Sequence, residues 1–81
     1  MDVTLRYHAL LREKTGRAEE PQALPAGATV NDALRAFFER YPALRGLEGR
    51  LHVAVDDEFA APDDRLKPGA RVDLLPPFGG G

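Results

Sequence analysis

The sequence predicts a single α+β domain, a mixed sheet of about five strands packed on one main helix. Three observations carry that reading. Residues 2–7 alternate, with Val3, Leu5 and Tyr7 on one face and Asp2, Thr4 and Arg6 on the other, which is the period of a half-buried strand. Val30, Ala33, Leu34, Phe37, Phe38 and Tyr41 recur at helical spacing and form one broad apolar stripe. Residues 51–55 and 71–74 alternate again, so strands flank the helix in the sequence. With 81 residues the chain is too short for a doubly wound sheet, and a sheet wrapped over the stripe is the economical two-layer solution.

Taken in order, the first strand leads into a short helix over His8–Thr15, built from good helix formers and stopped at Gly16. Glu20–Leu24 is a second strand of thin apolar content, closed by the Pro25-Ala26-Gly27 turn. Thr29 precedes the long helix with Asp32 three places on, an acidic form of the capping box, and Pro42 ends it. Residues 43–50, with Gly46 and Gly49, read as a connection. Leu51, Val53 and Val55 form a third strand, Asp57-Glu58 reverses into a short fourth at Phe59-Ala60, and Leu66 is an isolated core anchor. After Pro68-Gly69 the fifth strand, with Val72 and Leu74 inward, runs into Pro76. This order describes a β-grasp-like roll, with residues 1–75 as the domain and 76–81 as an extended, flexible tail.

The composition narrows the chemistry. A domain of this size buries roughly 60% of the surface its unfolded chain exposes, so its core is modest. Without cysteine it has no disulfide, thiolate zinc site or internal thiol nucleophile, and without serine it has no serine triad. A net charge of −2 without long like-charge runs argues against nucleic acid or an anionic membrane as partner. The chain has neither a membrane-length apolar run nor a signal-peptide pattern, so a cytoplasmic location is expected. The preference for arginine over lysine and the loop prolines lean weakly toward a thermophilic source.

No catalytic constellation is visible. His8 and His52 lack a second ligand at metal spacing, and Asp56, Asp57, Glu58, Asp63 and Asp64 are explained by turn chemistry, so no metal site is expected. The last residues differ. Pro76-Pro77-Phe78-Gly79-Gly80-Gly81 would hold a carboxylate on a side-chain-free tether, since glycine runs add nothing to fold stability. Six residues reach at most roughly 20 Å, enough to thread a pocket in another protein. The proline pair favours an extended departure from the sheet. Phe78 and the outward Leu75 are candidate contacts for a partner.

The stretches Tyr7–Glu13, Leu24–Val30, Val53–Asp56, Leu66–Gly69 and Leu75–Gly81 together resemble the MoaD/ThiS ubiquitin-like sulfur carriers, most of all the MoaD side of that family. The resemblance covers nearly the whole chain. It departs at Asp56-Asp57, where relatives often carry Asn-Gly, and at Ala70, where an acidic residue is common. It implies a carrier that is not an enzyme by itself and binds no cofactor. In such families an activating enzyme of the MoeB kind uses ATP to adenylate the terminal carboxylate, here Gly81, and sulfur from a donor protein converts it to a thiocarboxylate. A large subunit of the MoaE kind then uses the sulfur to build molybdopterin. Leu75, Pro76, Pro77, Phe78, Gly79 and Gly80 are the partner-binding residues that follow. Sulfur delivery to thiamine or tRNA thiolation, attachment to other proteins through Gly81, and a β-grasp interaction domain with an incidental tail are the alternatives.

Overall fold

The alternation at residues 2–7 forms strand β1 (Asp2–Tyr7), whose Val3, Leu5 and Tyr7 are buried. The computed structural model describes residues 1–77. Helix α1 (Leu10–Thr15) is shorter than the sequence predicts, because His8 and Ala9 form the turn into it. Gly16 closes the helix in the left-handed conformation, its N–H donating to the Arg12 carbonyl. Strand β2 (Glu19–Ala23) pairs antiparallel with β1, setting Glu20 opposite Leu5 on the inner face. Helix α2 (Val30–Arg40) opens on a full capping box. The Thr29 hydroxyl accepts from Asp32 N–H and the Asp32 carboxylate accepts from Thr29 N–H.

Pro42 ends α2 as expected, but the following residues are not plain connection: Pro42–Leu47 winds into a 3₁₀ helix. Strand β3 (His52–Val55) reverses through Asp56 and Asp57, both at positive φ, into the two-residue strand β4 (Glu58–Phe59). Such a turn favours Asn-Gly, and aspartate tolerates it better than most residues. The reversal therefore lies one residue earlier than predicted. Strand β5 (Arg71–Leu75) completes a sheet of order β2-β1-β5-β3-β4, with β5 parallel to β1 and antiparallel to β3.

Helix α2 covers one face of this sheet. Val30, Ala33, Phe37 and Phe38 meet Val3, Leu5, Tyr7, Val53, Val72 and Leu74 in a single core that also takes in Leu11, Leu24, Ala28, Leu66 and Ala70. Val55, predicted inward, is only half-buried near the sheet edge. The rings of Tyr7, Phe37, Phe38 and Tyr41 stack at centroid distances of 5.1 to 6.1 Å, within the favourable range for tilted and edge contacts.

The turn residue Ala9 has φ 50° and ψ −121°, a region that a Cβ makes unfavourable. Relief of about 1–3 kcal/mol of strain exceeds the roughly 0.4–1 kcal/mol lost to the freer unfolded chain. Ala9→Gly is therefore expected to stabilise the domain by about 1 kcal/mol in urea unfolding, and a loss of stability would contradict the strain.

Candidate docking face at the base of the tail

The tail leaves from the middle of the sheet. Strand β5 lies between β1 and β3 and ends at Leu75, where Pro76 is buried and Pro77 half-buried. The departure point is thus a fixed part of the domain. The sequence-predicted site residues Phe78, Gly79, Gly80 and Gly81 lie outside the described residues.

The register places several side chains together on the face of the sheet that α2 does not cover. His52 lies opposite Leu75, Ala54 opposite Asp73 on one side and Phe59 on the other. His8, Ala9, His52, Phe59, Leu75 and Pro76 line one shallow, mostly apolar depression of about 360 Å³. Phe59 is 81% exposed, the one large hydrophobic residue in that state among the described residues. An open phenyl ring beside an apolar hollow is a feature of docking surfaces. A larger hollow of about 520 Å³ also touches Phe59, but Asp56, Glu58, Asp64, Arg65 and Lys67 make its walls charged.

A buried carboxylate fixes one rim of the depression. Asp73 points to the outer face yet is only 7% exposed. Its Oδ1 lies 2.8 Å from His8 Nε2 and 3.5 Å from Arg6 Nε, so it has a hydrogen-bond partner in the turn and a cationic partner on β1. A buried carboxylate without such partners would cost several kcal/mol. The pair holds the His8 ring beside Ala9, against the hollow.

The opposite face holds a second buried acid, Glu20, which receives the hydroxyls of Tyr7 and Tyr41 and lies 2.9 Å from Arg40 Nη1. Burial pushes its carboxyl up, but the hydrogen bonds from Tyr41 and Tyr7 and the Arg40 guanidinium outweigh that, so it titrates below the ordinary glutamate value. Burial, then the hydrogen bond to Glu20 and its charge, push both tyrosines up. This network ties the edge strand β2 to the end of α2 and has no part in the docking face.

Three of the acidic residues of positions 56–64 have local structural partners: Asp56 Oδ1 accepts from Arg71 N–H, Asp57 pairs with the Arg71 side chain at 2.7 Å from Nη2, and Asp64 Oδ2 accepts from Ala61 N–H. Among the described residues no group of three or more His, Cys, Asp or Glu side chains could hold a metal ion. No helix there is long and apolar enough to cross a membrane. Of the predicted contacts, the structure brings Leu75 and Pro76 to the depression. Phe59, His8 and His52 were not predicted to join them. The signal that could have found them is strand pairing, since the hairpin folds Phe59 beside Ala54.

This architecture, a mixed five-stranded sheet grasping one helix with a glycine tail on the central strand, defines a ubiquitin-like β-grasp protein. Residues 5–81 match the ThiS family, and the chain belongs to it. The molybdopterin synthase sulfur carrier subunit of Caenorhabditis briggsae is 37% identical over 68 residues, covering 82% of this chain and 81% of its own. The protein of the same name from Chlamydomonas reinhardtii is 32% identical with full coverage of both. SAMP1 of Haloferax volcanii superposes with TM-score 0.88 at 27% identity, covering 100% of both chains. The complex of subunits 1 and 2 of the Helicobacter pylori molybdopterin-converting factor shares the fold at TM-score 0.70 and 23% identity, again over 100% of both chains.

Proposed function

We propose that this chain is the sulfur carrier subunit of a molybdopterin synthase and acts in the cytoplasm. Its membership of the ThiS family and the names of its full-length relatives support the reading. The single structural observation that supports it is the mostly apolar depression lined by Phe59, Leu75 and Pro76 where the last strand ends, a surface suited to a partner. The Gly81 carboxylate is ionised at neutral pH and a poor electrophile. An activating enzyme of the MoeB kind must therefore attack ATP with it, forming the acyl-adenylate and releasing pyrophosphate. A sulfide-equivalent nucleophile drawn from a donor protein then forms the C–S bond as AMP leaves. The large subunit docks on the depression, accepts the tail and holds the side chains that use the thiocarboxylate. ATP is a substrate of the activating enzyme, and no cofactor resides here.

The test is mass spectrometry of the protein after incubation with its activating enzyme, ATP and a sulfur donor. One sulfur-for-oxygen exchange confined to the C-terminal peptide is expected, and a chain lacking Gly81 should fold but stay unmodified. An unchanged terminus under these conditions would sink the proposal. The likeness to SAMP1 of Haloferax volcanii, which is named small archaeal modifier protein 1, favours a second role. Isopeptide adducts linking Gly81 to lysines of other proteins in cell extracts would reveal it.

A further inference from the structure

Ala9 is held in a conformation that its own side chain opposes. The Leu11 N–H donates to the His8 carbonyl at 3.1 Å, closing a turn with Ala9 at its first central position. There φ 50° and ψ −121° match a II′ turn, a place that glycine fills by default because a Cβ is unfavourable. The chain does have glycine at four other positive-φ positions, Gly16, Gly27, Gly49 and Gly69. Among the described residues, the two further non-glycine cases, Asp56 and Asp57, are explained by their hairpin and by carboxylates that both engage Arg71. A methyl group forms no such bond. Nor does the fold use it: Ala9 is exposed and stands outside both the core and the half-buried side chains packed against it.

Strained residues persist where their surroundings over-determine them, and they cluster where ligands are clamped. Ala9 forms part of the wall of the apolar depression, together with Phe59, Leu75 and Pro76. Its carbonyl accepts from Arg12 N–H at 3.0 Å, so the first turn of α1 fixes that wall from behind. We propose that the Ala9 methyl is a partner-contact residue of the depression, covered by an apolar side chain of the docked large subunit, and that the strained turn is kept for this contact. Any aliphatic or aromatic carbon seated in the hollow suffices, with no charge or hydrogen bond required of the partner. The inference deepens the docking reading above and rests on it.

The experiment measures calorimetric dissociation constants for the molybdopterin synthase large subunit of the same source, and urea midpoints of the carrier alone. Three full-length chains are compared with the unaltered one: Ala9→Gly, Phe59→Ala, and a chemically synthesised chain with D-alanine at position 9. Ala9→Gly should raise the urea midpoint yet weaken binding about fourfold, the contribution of one buried methyl group. D-Alanine suits a II′ turn and keeps it stiff, but its methyl takes the place of the α-hydrogen and leaves the wall. That chain should therefore also gain stability and bind as weakly as Ala9→Gly. Opposite signs mark a contact, whereas a structural residue moves both quantities together, so a fall in both for Ala9→Gly overturns the proposal. Unchanged binding by Ala9→Gly, or full affinity in the D-alanine chain, also overturns it and leaves docking standing if Phe59→Ala is weakened. Undiminished binding by Phe59→Ala, or no binding by the unaltered chain, overturns the docking reading and this inference with it.

Discussion

Replacing Phe59 by alanine should weaken capture by the large subunit about a hundredfold while leaving the fold intact. The ring is 81% exposed on a two-residue edge strand and contributes little to the core. Aromatic anchors at the centre of an interface commonly carry 2–4 kcal/mol, and about 2.7 kcal/mol corresponds to a factor of one hundred. Exposed substitutions away from special features change stability by less than about 0.5 kcal/mol. Calorimetric dissociation constants and urea midpoints of the same two proteins separate the effects. Equal affinity would remove Phe59 from the interface, and a large fall in stability would place it in the fold instead.

The second large effect concerns stability. Glu20→Ala strips the buried Tyr7 hydroxyl, the half-buried Tyr41 hydroxyl and Arg40 of their shared acceptor, and each polar group left unsatisfied by such a change costs about 1–3 kcal/mol. Small domains have only about 5–15 kcal/mol in total, so the variant should be partly unfolded at moderate temperature. The same network sets the pH limits. The Glu20 carboxyl titrates lower in the folded state than in the unfolded chain, so its contribution is complete above the ordinary glutamate range and is lost as pH falls through the depressed folded value. Tyr7 and Tyr41 titrate higher when folded, so their contribution is complete below about pH 10 and is lost as pH rises beyond it. Urea midpoints across pH should show both shoulders. Glu20→Gln should lose the acidic one, and an unchanged acidic shoulder would show that Glu20 does not set it.

Much of the fold was legible because β1 and α2 each bury one face and β5 alternates apolar Val72 and Leu74 with charged Arg71 and Asp73, so burial imposes its period on the sequence. Strand β2 was faint for the opposite reason: its inward positions are Glu20 and Gln22, whose partners lie far along the chain. The 3₁₀ helix at Pro42–Leu47 buries no residue and leaves no stripe to read, while its proline and glycine resemble loop punctuation. The His8–Thr15 stretch overran at its start because helix propensity does not report that Asp73, sixty-five residues away, holds His8 in the turn. The docking face was legible only at Leu75 and Pro76. Phe59 belongs to a strand too short for any period, and its place beside Ala54 follows from pairing alone.

The parallel pairing of β1 and β5 has a mechanical consequence. These are the first and last strands of the described chain, they lie side by side, and β5 is also bonded to β3. A pull on the tail against the amino terminus slides β5 along its neighbours instead of peeling it away, so the ladder bonds bear the load together. The domain is a cleat for its own rope: a partner could tug the glycine tether deep into a channel, or drag it out again, without unravelling the strand that holds it.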